Sequence, residues 1–105
     1  MLTISQDNSH QTVLTTFEVT PGTCADVLDL LSAAYSEVIS KQPGFVAAAL
    51  HVNDAQTRIA SYSQWRARED FLAMLRSDEM RARNREINAL SKGFEPVMYD
   101  VAAVL

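Results

Sequence analysis

Thr15, Ser61 and Trp65 carry side chains able to hold a small organic molecule, and their positions are mutually compatible. Read on strands, where side chains alternate between faces, the three have matching parity and can line one cavity. Two hydroxyls would then donate hydrogen bonds while the indole presents a flat face for stacking. Phe17 falls on the same strand face as Thr15, and the small residues Ala47, Ala49, Ser61 and Ser63 leave volume that bulkier neighbours would fill. Phe17 and Ser63 are therefore assigned to the ligand-facing surface. The competing reading of Trp65 is a core residue, because tryptophan is mostly buried in protein interiors.

His51 ends the second apolar stretch and could serve as a general base near neutral pH, although no acidic residue stands where it would orient the ring. Arg83 and Asn84 interrupt an inner helical seam between Met80 and Ile87. Such a pair either reaches an anionic or phenolic ligand or extends past the seam to solvent. Neither His10 nor His51 is accompanied by further metal ligands at helical spacing, so no metal site is expected. Cys24 lies near a helix start, where thiol acidity rises, but without a neighbouring His or Cys in sequence it reads as structural.

The elements that must position these residues follow from periodicity. Val13–Thr20 alternates Val13, Thr15, Phe17 and Val19 against Leu14, Thr16, Glu18 and Thr20, a strand pattern rich in β-branched residues that Pro21-Gly22 ends. Thr23 and Asp26 resemble a capping box. Val27, Leu28, Leu31, Ala34, Tyr35, Val38 and Ile39 then form the apolar face of a helix ended by Pro43-Gly44. Phe45–Val52 is apolar on both faces, with Val46, Ala48, Leu50 and Val52 opposing Phe45, Ala47 and Ala49. Asn53–Gln56 is turn chemistry, which predicts a hairpin between Phe45–Val52 and Thr57–Trp65. Helices follow over Glu69–Leu75 and Asp78–Ser91, then a last strand over Glu95–Val104. This βαββαβ order predicts an α+β, ferredoxin-like antiparallel sheet with helices on one face. The other, helix-free face is apolar too, and Tyr62, of opposite parity to Trp65, points to it. A face of this kind is expected to be covered in a homodimer.

Composition bounds the rest. A chain of 105 residues with 48% hydrophobic and 21% charged residues reads as one globular domain. A loose polar arm is expected over residues 1–11 and a folded domain over 12–105. Nine basic against thirteen acidic residues, a net charge of −4, argue against a nucleic-acid or anionic-membrane partner, which would need a basic patch. One cysteine rules out an internal disulfide. No signal peptide or membrane-length apolar run is evident, and the cytoplasm is the expected location.

Specific motifs add to this. Gln42-Pro43-Gly44-Phe45-Val46, the hairpin after it, Tyr62-Ser63-Gln64-Trp65 with Arg68-Glu69-Asp70-Phe71, and Phe94-Glu95-Pro96 with Tyr99 together resemble the antibiotic biosynthesis monooxygenase family over roughly residues 12–104. The resemblance implies a dimeric α+β barrel and cofactor-free oxygenation of phenols or anthrones, with haem-degrading enzymes and isomerases as relatives on the same fold. It implies that Trp65 walls a pocket. It also sets Ser61 and Thr15 where oxygenase-type relatives carry asparagines, whose amides would orient a phenolate for reaction with dioxygen. Serine and threonine donate a single hydrogen bond on a shorter arm. Trp65, Ser61 and Thr15 are thus the candidate catalytic residues, with Phe17, His51, Ser63, Arg83 and Asn84 as candidate substrate contacts. The helix segment Ala67–Lys92 lacks the histidine a haem enzyme of this type needs, and neither haem nor another cofactor is expected. The function implied is a cofactor-free monooxygenase of a small hydroxyaromatic or quinone-like compound. A non-catalytic ligand-binding dimer and an isomerase are the alternatives.

Overall fold

The computed structural model describes residues 2–105. The elements run β1 (Gln11–Glu18), α1 (Cys24–Glu37), a 3-10 turn (Ile39–Lys41), β2 (Phe45–Val52), β3 (Arg58–Trp65), α2 (Arg68–Arg76), α3 (Asp78–Leu90) and β4 (Phe94–Tyr99). All strand pairs are antiparallel and the sheet order is β2-β3-β1-β4, so the α+β ferredoxin-like expectation holds. The β2–β3 hairpin closes as the Asn53-to-Gln56 chemistry requires. The Asn53 side-chain oxygen accepts from the backbone N–H groups of Thr57 and Arg58, both at 2.9 Å, and Gln56 takes the left-handed conformation at φ 57°. Ser77 serves two helices at once: its hydroxyl donates to the Met74 carbonyl at 2.8 Å and accepts from the Met80 N–H at 3.3 Å.

Several boundaries differ from the periodicity. β1 begins at Gln11 and ends at Glu18, because it pairs residue for residue with β3 from Gln11↔Trp65 to Glu18↔Arg58. β4 stops at Tyr99, short of Val104, because its partner strand runs out at the Thr12↔Tyr99 pair. Thr23 forms no capping box: its hydroxyl accepts instead from the Thr20 N–H at 3.1 Å, closing the Pro21-Gly22 turn. α1 ends at Glu37, since Val38 leaves the helical region at φ −126° and the chain tightens into the 3-10 turn.

A bulge between Phe45 and Ala47 re-phases β2. Strict alternation sets Phe45 against Ala48 and Leu50. The extra residue instead brings Phe45 opposite Trp65, on the same face as Ala48 and Leu50, which lie opposite Ser63 and Ser61. Phe45 thereby packs edge-on against the indole at 5.5 Å. The polar arm is tied down at several points. Gln64 donates to the Thr3 carbonyl at 2.7 Å, and Asn8 and Gln6 accept from the Val101 and Val104 N–H groups at 2.7 and 2.9 Å.

Gly44 makes the junction between the 3-10 turn and β2 possible. Its φ of 85° is left-handed, and a Cβ there would lie 2.6 Å from the Asp70 Cβ, at the start of α2. Its carbonyl accepts from the Arg66 N–H at 2.8 Å, locking β2 to the end of β3. Gly44→Ala should therefore cost about 2 kcal/mol in urea unfolding, from strain plus collision. Adding Asp70→Gly should return the collision part. A neutral Gly44→Ala would show that the junction tolerates side chains.

Candidate functional site

The core beneath the helices is divided. One apolar cluster gathers Val13, Ala34, Val38, Trp65, Phe71, Met74 and Met80, and a second gathers Phe17, Val27, Leu31, Ile59 and Ile87. Between them the sheet carries a polar row, since Thr15 lies directly across from Ser61 in the β1–β3 register. An uninterrupted apolar stripe would pack more cheaply, because buried hydroxyls need partners. Ser61 finds one in Tyr35, whose hydroxyl lies 2.5 Å from the Ser61 Oγ. A cavity of about 30 Å³ sits over this row. Thr15, Ser61, Tyr35 and Asn84 supply its polar lining, and Phe17, Leu31, Ile39, Phe71, Met80 and Phe94 are among its apolar walls.

The candidates from sequence divide accordingly. Thr15, Ser61, Phe17 and Asn84 come together at the cavity. Trp65 lies behind it: the indole has no exposed surface, packs edge-on against Phe71 at 5.8 Å, and donates from Nε1 to the Ser63 Oγ at 3.0 Å. Ser63 thus satisfies the tryptophan and does not line the cavity. The Arg83–Asn84 pair separates, because Met80, Asn84 and Ile87 follow one helical face while Arg83 turns outward. Arg83 pairs with Glu37 of α1 at 2.5 Å. Its hydrogen bond, and then its charge, hold the Glu37 carboxyl below the ordinary value. His51 is apart from all of these. It pairs with Ala60, so it lies on the helix-free face, and it is exposed.

Tyr35 was absent from the candidates although its sequence position signalled it. It falls on the inner face of α1 between Leu31 and Val38, and a tyrosine hydroxyl on a buried face needs a polar partner. Burial pushes its phenol above the ordinary value of 10.0, while hydrogen bonds with Ser61 and Ser63 oppose that shift. At neutral pH Tyr35 is therefore an uncharged donor. The raised value also has a stability consequence. What the neutral phenol contributes is intact below the ordinary value and is lost as pH rises through the folded-state value. In an alkaline titration followed by phenolate absorbance, Tyr35→Phe should remove the late-ionising step. Identical curves for variant and parent would contradict the burial argument.

Among the described residues, no group of His, Cys, Asp and Glu side chains could hold a metal ion, and no helix is long and apolar enough to cross a membrane. An antiparallel βαββαβ sheet with its cavity under the helical layer defines a ferredoxin-like α+β domain. Residues 11–86 match the model of the antibiotic biosynthesis monooxygenase family, and the chain belongs to that family. It is 34% identical over 74 residues to tetracenomycin-F1 monooxygenase of Streptomyces glaucescens. That match covers 70% of this chain and 66% of the relative, just under two thirds of its length. Among solved structures, the ActVA-Orf6 monooxygenase of Streptomyces coelicolor, in complex with nanaomycin D, superposes with a TM-score of 0.79 at 21% identity. The superposition covers 94% of this chain and 93% of that one. SnoaB, a cofactor-independent oxygenase of Streptomyces nogalater, gives a TM-score of 0.79 at 19% identity, covering 92% of this chain and 97% of that one. These two likenesses show the fold.

Proposed function

We propose that this protein is a cofactor-free monooxygenase acting on a small hydroxyaromatic or quinone-like compound. The observation that carries the reading is the Thr15–Ser61 row, with the Tyr35 hydroxyl 2.5 Å from Ser61, set between two apolar clusters. Family membership and the tetracenomycin-F1 monooxygenase relative support it. In the reaction, an anthrone-type methylene becomes a carbonyl. The substrate loses two hydrogens and four electrons, and dioxygen supplies one oxygen atom to the carbonyl and one to water. The electrons come from the ionised phenol or enol of the substrate. Neutral hydroxyls of Ser61 and Thr15, with the Asn84 amide, stabilise that oxyanion by donating hydrogen bonds, while the Tyr35 hydroxyl, bonded to Ser61, orients the serine. Trp65 acts from behind, holding β3 and α2 in place.

The working unit in this proposal is a homodimer in the cytoplasm. The helix-free face carries Ala47, Ala49, Ala60, Leu14 and Tyr62, with Val97 36% and Tyr99 49% exposed. Burying it should exceed about 1,000 Å². Light scattering should give about 23 kDa, twice the chain mass of 11.6 kDa.

Oxygen uptake with 1,8-dihydroxyanthrone tests the chemistry. Purified protein without added cofactor should consume one dioxygen per quinone formed, unaffected by a chelator. Uptake no faster than the buffer reaction would sink the oxygenase reading. The second reading, a ligand-binding protein without turnover, is favoured by the two hydroxyls at positions where the family resemblance expects amides. Turnover that appears only in Ser61→Asn, alone or with Thr15→Asn, would support it.

A further inference from the structure

The cavity is too small for the ring it is proposed to serve. At about 30 Å³ it has room for roughly one water-sized group, an oxygen substituent and not an aromatic body. A second concavity lies on the other side of Tyr35. It runs between α1 and the edge strand β2, has a volume of about 530 Å³, and is within the size range of small-molecule sites. Tyr35 is the one described residue that lines both.

The groove has two unlike walls. Phe45, Ala48 and Leu50 form an apolar floor that the small alanine leaves open, and the β2 bulge is what turns Phe45 to this side. Ala47 and Ala49 of the edge strand border it toward the helix-free face. Ser32 and Ser36 line the opposite wall from successive turns of α1. An apolar floor beside a hydroxyl edge fits a planar polycycle whose oxygens lie along one side. We infer that the α1–β2 groove binds the fused-ring body of the substrate, and that Tyr35, which borders both, is the specificity-determining residue between this body and the oxygen-sized cavity over Ser61. The inference deepens the oxygenase reading and rests on it only for which oxygen enters the cavity.

Tyr35 is then a positioning residue. Its ring borders both groove and cavity and its hydroxyl aligns Ser61, so ring count should be read by the groove and substituent position by the cavity. Enclosing an added ring against Phe45 and Ala48 contributes affinity through apolar burial.

Calorimetric titration of the full chain under nitrogen, with phenol and with 1,8-dihydroxyanthrone, separates the two compartments without turnover. Ala48→Phe fills the groove from its floor. Ser36→Phe fills it from an exposed helix position and carries little folding risk. Each should weaken the three-ring ligand about tenfold and leave phenol within about twofold. Tyr35→Ala, which widens the space between groove and cavity, should raise the affinity ratio of three-ring ligand to phenol by about fivefold. Folded groove-filling variants that bind the three-ring ligand as the parent does would overturn the inference. So would a Ser36→Phe effect confined to the oligomeric state, which would assign the groove to a second copy of the chain. Groove-dependent binding without oxygen uptake would keep the groove and end the oxygenase reading. Oxygen uptake indifferent to both fillings would do the reverse.

Discussion

Trp65→Ala should lower unfolding free energy by about 3–5 kcal/mol, a large share of the stability of a domain this size. The indole is entirely buried, and it stands where β2, β3 and α2 meet, against Phe45 and Phe71. Truncation leaves a void between two rings that point edge-on at the missing group. It also strands the Ser63 hydroxyl, which accepts from Nε1 at 3.0 Å. Trp65→Phe should cost less, about 1–2 kcal/mol, because a ring remains while the hydrogen bond and part of the volume are lost. Urea unfolding of both variants checks the ranking. If Trp65→Ala unfolds within about 1 kcal/mol of the parent, the indole is not the keystone of that cluster. Because Trp65 lies behind the cavity, ligand binding by folded Trp65→Phe should be nearly that of the parent, with the loss appearing in stability.

The Ser61–Tyr35 pair should show the opposite pattern, a large loss of turnover with a small loss of stability. Ser61→Ala removes the hydroxyl that pairs with Tyr35 and should reduce kcat by roughly ten- to a hundredfold, the scale seen when one donor to a developing oxyanion is lost. Tyr35→Phe should produce a comparable fall, since it deletes the other half of the same contact. The double variant should be little worse than either single one, because the hydroxyls act as a unit. Thermal unfolding should shift by a few degrees at most, corresponding to about 1 kcal/mol for one hydrogen bond. Additive losses in the double variant would mean that the two hydroxyls contact the substrate independently. Full activity in Ser61→Ala would remove the serine from the reaction.

Much of this molecule is legible along the chain. The alternation from Val13 to Val19, the apolar face of α1, the Asn53 turn and the two helices after Trp65 are local patterns, and local hydrogen-bonding or packing preferences decide them. They determine an antiparallel βαββαβ sheet with helices on one side. The common parity of Thr15 and Ser61 was legible for the same reason, since strand periodicity alone sets which face a residue takes.

The remainder depends on registers between segments far apart in sequence. Only the pairing of β1 with β3 brings Thr15 directly opposite Ser61, and only the packing of α1 on that sheet brings Tyr35 to Ser61 across 26 positions of sequence. The bulge in β2 decides that Phe45 joins Trp65 in the core and lines the outer groove, and strict alternation hides it. Trp65 is the clearest case. A tryptophan ending a strand can wall a pocket or close a core with equal local sense. Its role was decided by where Phe45, Ser63 and Phe71 converged, which no spacing along the chain encodes. The elements and their faces are local properties of the chain, because they arise from bonded neighbours and short-range periodicity. Tertiary structure alone decided which faces meet, and therefore which hydroxyls surround a cavity, because that follows from long-range packing of the whole chain.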